Sequence, residues 1–90
     1  MYIVYVLKSK RFEHYYIGQT FNLNRRLQEH NFGNTYWTKR YRPWEVIYLE
    51  ILKTKQEAIK REKYFKSHVG RNWLKKKLSP HSLMDKTKDS

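Results

Sequence analysis

The chain opens on an unbroken apolar and aromatic run, Tyr2, Ile3, Val4, Tyr5, Val6 and Leu7, and this run constrains the fold more than any later segment. Six such residues in succession do not alternate. As a strand they present apolar side chains to both faces of a sheet, so both faces need cover. The run is far shorter than the ~18–20 residues of a membrane span. It has no basic leader and no small-residue cleavage site, so a strand is expected here and not a signal peptide.

The rest of the chain supplies the cover. Residues 8–13 are polar and turn the chain, and His14, Tyr15, Tyr16, Ile17 and Gly18 read as the returning strand of a hairpin. Asn22 is positioned as an N-cap, and Leu23 and Leu27 repeat at helical spacing, which predicts a helix to about Asn31. Phe32, Gly33 and Asn34 break it. Residues 35–43 read as a basic, aromatic loop with a short turn of helix. Residues 44–51 are rich in β-branched and aromatic side chains and form a third strand. Thr54 with Glu57 makes a capping box for a helix over residues 55–67. Gly70 is expected to end or interrupt that helix. A last short helix is then predicted over residues 72–78, anchored by Trp73 and Leu74. The order β-β-α-β-α-α predicts an α+β domain, a three-stranded antiparallel sheet flanked by helices, over residues 1–78. Residues 79–90 are polar and aperiodic and are expected to form a disordered tail.

Ninety residues without cysteine exclude disulfides and thiolate metal sites, and suit the cytoplasm. The charge is more telling. Twenty Lys and Arg stand against eight Asp and Glu, a net +12, and residues 1–78 carry all of it because the tail holds two of each sign. A compact domain so unbalanced repels itself. A polyanion is the expected partner, nucleic acid ahead of an anionic membrane surface.

Several residues stand out as carriers of chemistry. A hairpin register with Tyr5 opposite Tyr16 places two phenols on one face, with Cβ atoms about 5 Å apart. Such a pair either relays protons and contacts phosphate or simply stabilises the sheet. Gly18 leaves room for a ligand or another backbone to approach. Arg26 and His30 are four apart on the first helix and share a side, suited to phosphate binding and proton movement or to a plain basic helix. Glu62 falls within the stripe formed by Ala58, Ile59, Phe65 and Val69, among the cations Lys60, Arg61, Lys63 and Lys66. An inward carboxylate is costly unless it is ion-paired or ligates a metal, and a hard cation takes only one or two carboxylates. Residues 35–42 interleave three aromatics with Lys39, Arg40 and Arg42, a combination that stacks on bases and neutralises phosphates. Lys63 and Lys66 extend that nucleic-acid-binding surface. Neither a Gly-rich phosphate loop nor paired Cys/His zinc spacing is present.

Taken in order, these residues resemble the GIY-YIG nuclease superfamily. Ile3, Val4 and Tyr5 stand at its first motif, and Tyr16, Ile17 and Gly18 match the second unchanged. Arg26 lies eight residues after Gly18 and His30 twelve, and Arg61, Glu62 and Lys63 resemble the glutamate motif. The resemblance covers about residues 2–78. It is nearest to short stand-alone members related to the nuclease domain of the UvrC repair subunit. One departure is plain: Ile3 and Val4 replace the glycine and isoleucine of the first motif.

The resemblance implies a metal-dependent endonuclease. One Mg²⁺ or Mn²⁺ is held by Glu62, and water attacks a phosphodiester in line, in DNA more than RNA, with structure-selective cutting within the family's range. The chemistry of the residues supplies the roles: Arg26 holds the non-bridging oxygens, and Arg26, His30 and the metal favour a phenolate at Tyr5 or Tyr16, with Tyr5 preferred as the base and Tyr16 as a group positioning water or phosphate. The rival expectation is a non-catalytic nucleic-acid-binding module on the same fold. The chain carries no second DNA-binding domain, so a protein partner for targeting is a further expectation, and the oligomeric state is left open.

Overall fold

The computed structural model describes residues 1–33 and 36–78. The predicted tail lies outside the described residues. The elements run β1 (Tyr2–Ser9), β2 (Tyr15–Thr20), α1 (Leu23–Phe32), α2 (Tyr36–Lys39), β3 (Trp44–Leu52), α3 (Lys55–Lys66) and α4 (His68–Leu78). The three strands form one antiparallel sheet, order β2-β1-β3. The unalternating first run is therefore the central strand. Its side chains divide by the period of two. Val4 and Val6 pack with Ala58 and Phe65 of α3 and Leu74 of α4. Tyr5 and Leu7 pack on the opposite face with Trp44, Leu23 and Leu27. Val4, Tyr5, Val6 and Leu7 are each no more than 2% exposed, which makes both faces core.

The hairpin differs from the expected register. Tyr5 pairs with Gly18, and Tyr16 pairs with Leu7. Ser9 is the cause. Its hydroxyl accepts from the backbone N–H groups of Arg11 and Phe12, at 3.1 and 3.0 Å, and its own N–H donates to the His14 carbonyl. This side-chain turn moves the hairpin centre on by one residue, so the partner strand slides by two. A slide of two preserves faces, whereas a slide of one would reverse them. Tyr5 and Tyr16 thus remain on one side as diagonal neighbours, with ring centroids 6.3 Å apart.

Helix ends follow local chemistry. Asn22 caps α1 by accepting from the Arg25 N–H, and Gly33 closes it in the left-handed region at φ 84°. Thr54 caps α3 through the Glu57 N–H, while Glu57 reaches back to the Lys53 N–H at 3.2 Å. Gly70, expected to stop a helix, lies buried inside α4. The break falls at Ser67 instead. Its hydroxyl donates to the Tyr64 carbonyl at 2.6 Å and accepts from the Gly70 N–H at 3.2 Å, ending α3 and starting α4. Gly70 is needed for proximity: a Cβ there would run into the Tyr64 carbonyl oxygen. Arg61 then ties α3 to β3. It donates twice to Glu50, at 2.8 and 3.1 Å, with its guanidinium over Phe65 and Trp73. No helix among the described residues is long and apolar enough to cross a membrane.

Candidate active site

The site grows from the α1-facing side of the sheet. Central-strand position and odd parity send Tyr5 inward, where it is 1% exposed. Gly18 opposite it has no side chain, and the Tyr5 ring fills that space: a Cβ on Gly18 would sit 2.6 Å from the phenol oxygen. The glycine expected to admit a ligand or another backbone admits a tyrosine ring. Helical spacing places Arg26 and His30 of α1 above this point. His30 is fully buried, with Nε2 3.3 Å from the Tyr5 hydroxyl and Nδ1 2.9 Å from Thr38 Oγ1. Tyr16 stands beside them, its ring 4.7 Å from the His30 ring.

The charge of the Arg26 guanidinium acts on the Tyr5 hydroxyl, and the hydroxyls of Tyr5 and Thr38 hold the two ring nitrogens of His30. Burial pushes Tyr5 up to about 12; Arg26 opposes the rise, and the neighbouring Tyr16 phenol and Glu62 carboxylate add to it. Burial, helped by the Arg26 charge, pushes His30 down to about 4, while Glu29 works the other way. Moving a proton from this phenol to this imidazole is uphill by on the order of 10 kcal/mol. His30 orients Tyr5 and does not deprotonate it.

Arg26 is raised above its already high range, first by Tyr5 and then by Glu29, whose carboxylate it meets at 2.9 Å. It also borders a depression of about 290 Å³ lined by Arg25, Lys55 and Glu29, whose carboxylate pairs with both arginines. Glu62 enters from α3. Its side chain is 22% exposed, and Lys66 holds it at 2.7 Å. The apolar stripe expected around it is one-sided: Ala58 and Phe65 are buried, but Ile59 and Val69 are 37% and 64% exposed. Glu62 thus sits on the rim between core and solvent, close enough for its charge to act on Tyr5.

Among the described residues no cluster of three or more His, Cys, Asp or Glu could cage a metal. Glu62, a single partly exposed carboxylate on the rim of the core, fits a hard divalent ion that keeps waters and takes the rest of its shell from substrate oxygens. Cys- or His-rich metal chemistry does not fit it.

Of the expected nucleic-acid contacts, Lys66 stands at the site, while Lys39, Arg40, Arg42 and Lys63 are exposed, with Arg40 over the Tyr41 ring at 5.8 Å. Two partners escaped the sequence reading. Glu29 carried a usable signal, three residues after Arg26 on a helix. Thr38 carried none, because only the fold brings α2 against His30. Asn31 has a related anchoring role, its amide pairing with the N–H and carbonyl of Trp44 at 2.6 and 3.2 Å.

Comparison with known proteins identifies the family and the fold. The family described as the GIY-YIG catalytic domain matches residues 1–77. A UPF0213 protein of Clostridium perfringens is 36% identical over 86 residues, spanning 94% of this chain and 90% of its own. One of Listeria welshimeri is 38% identical, over 96% of this chain and 89% of its own. The solution NMR structure of a UPF0213 protein from Bacillus halodurans superposes with a TM-score of 0.53 at 26% identity, over 94% of each chain.

Proposed function

The chain belongs to the GIY-YIG catalytic-domain family, and from that premise we propose that it is a divalent-metal-dependent endonuclease hydrolysing phosphodiesters in nucleic acid, DNA before RNA. The observation that carries this reading is the meeting of Tyr5, Tyr16 and His30 in one contact chain, with the charges of Arg26 and Glu62 acting on its central phenol.

The roles follow from the chemistry. Glu62 would hold Mg²⁺ or Mn²⁺, which when bound supplies charge neutralisation at the scissile phosphate and the leaving oxygen. Arg26 binds the non-bridging oxygens, and its charge matters most as theirs grows toward the transition state. With Tyr5 as a phenolate, its proton lost to solvent, a water oxygen attacks phosphorus in line and passes its proton to the Tyr5 oxygen; the bond to the leaving oxygen breaks, and that oxygen takes up a proton from solvent. His30, neutral at pH 7, fixes the Tyr5 ring. Tyr5 is a phenol in the resting site, and the Glu62 charge helps keep it so. Neutralising that carboxylate removes one obstacle to Tyr5 serving as base. Tyr16, half-buried at the mouth of the site, is suited to hold water or phosphate. A protein partner for targeting and a place in DNA repair remain part of this reading.

The test is a cleavage assay on duplex, branched and single-stranded DNA, with Mg²⁺, Mn²⁺ or EDTA. Cutting should require metal and fall roughly 100-fold or more in Glu62→Gln and Arg26→Ala, with DNA binding retained. No metal-dependent cutting of any of the three substrates would sink the enzyme reading. The Lys66–Glu62 pair favours one alternative, a binding module whose carboxylate is permanently neutralised. That module would bind with steep salt dependence and leave the backbone intact.

A further inference from the structure

The open edge of the sheet carries a second feature. β2 is an outer strand, and a groove of about 870 Å³ runs along it, with α4 on one bank and the hairpin with α2 on the other. Four cations line it, Lys8, Lys66, Arg71 and Lys75, against one carboxylate, Glu13, which reaches Lys8 at 3.7 Å. The balance is that of a site for a polyanion. Rings line it as well. Tyr15 and Trp37 are 49% and 40% exposed. Trp37 is braced from behind by Tyr41 and Tyr16, with centroids 5.0 and 6.2 Å away, so little side-chain freedom is left to lose on binding.

We propose that this groove binds unpaired nucleobases adjoining the scissile phosphate, with Trp37 and Tyr15 as the stacking platforms, so that the preferred substrate presents a single-stranded segment. The proposal deepens the nuclease reading and rests on it. Exposed rings among cations bind single strands because every free base has a π-face, while a duplex keeps its base faces stacked inside. Continuity with the site gives the direction of the strand. Tyr16 lines the groove and also abuts His30, and Lys66 lines it and also bonds Glu62. A phosphate held at Arg26 and Glu62 therefore leaves the neighbouring bases at the mouth of the groove. Residues 35–42 contribute to it through Trp37, whereas Lys39, Arg40 and Arg42 lie outside its lining.

The experiment measures binding of the full chain in EDTA, where nothing is cut, to short oligothymidylate, oligouridylate and a blunt duplex of equal phosphate count. At least one single strand should bind about tenfold or more tightly than the duplex and quench tryptophan fluorescence. The tighter homopolymer identifies the sugar, and selectivity for either supports the proposal. Trp37→Ala should weaken single-strand binding roughly 5- to 100-fold and leave duplex affinity within about twofold, while Trp37→Phe keeps most of the affinity. Circular dichroism verifies folding, and Tyr15→Ala on the exposed hairpin gives an independent variant. Equal affinity for duplex and single strands, or loss of both alike in Trp37→Ala, overturns the groove assignment. In that event, metal-dependent cutting of duplex by the wild type would leave the nuclease reading intact. Trp37-dependent single-strand binding without cutting of any substrate would instead sustain the groove and remove the nuclease.

Discussion

Alanine at position 18 puts a methyl group where the Tyr5 ring lies. The new carbon would stand 2.6 Å from the phenol oxygen, 2.9 Å from Cζ and 3.1 Å from Tyr16 Cε2. The backbone itself tolerates the change, since Gly33 is the only described glycine with positive φ. Lower unfolded-state entropy even favours alanine by about 0.4–1 kcal/mol. Sterics decide the sign. Tyr5 is 1% exposed and tethered to His30, so its ring has no free space to enter. Overpacking of this kind costs about 1–3 kcal/mol, which leaves a net loss of up to about 2.6 kcal/mol and a fall in Tm of up to about 20 °C for a domain of this size. Activity should fall further than stability, because the displaced ring carries the contacts to His30 and Arg26. Thermal denaturation of Gly18→Ala, Tyr5→Phe and the double variant measures the coupling. Tyr5→Phe removes the oxygen contact but keeps Cζ, so coupling of about 0.5 kcal/mol or more is expected. A Gly18→Ala protein with wild-type Tm and activity, or strict additivity in the cycle, would refute the packing account.

Two further outcomes follow from the same core. His30 is neutral when folded, with its pKa depressed to about 4. The unfolded chain binds that proton first, so stability is fully present above about pH 6.5 and is lost as pH falls toward 4, by roughly 3 kcal/mol. Melting curves across this range should show the loss in wild type and its attenuation in His30→Gln; an unchanged slope in the variant would assign the acid loss to other groups. Gly70→Ala should lower Tm despite the roughly 1 kcal/mol gain in helix propensity, because the methyl meets the Tyr64 carbonyl and comes 2.8 Å from Phe65 Cα. An equal or higher Tm would mean that α3 and α4 separate easily.

Much of this protein was legible one segment at a time. The unalternating residues 2–7 demanded a strand covered on both faces, and Asn22, Thr54 and the spacing of Leu23 and Leu27 marked two helices, because caps and periodicity are local properties of the chain. The same locality put Arg26 and His30 on one side of α1. Tertiary structure alone decided why Gly70 continues a helix and which side chain fills the space over Gly18. It also brought Thr38 to His30 and Lys66 to the groove. Those outcomes depend on distances between elements remote in sequence, and such distances are set by packing volumes that no spacing along the chain encodes.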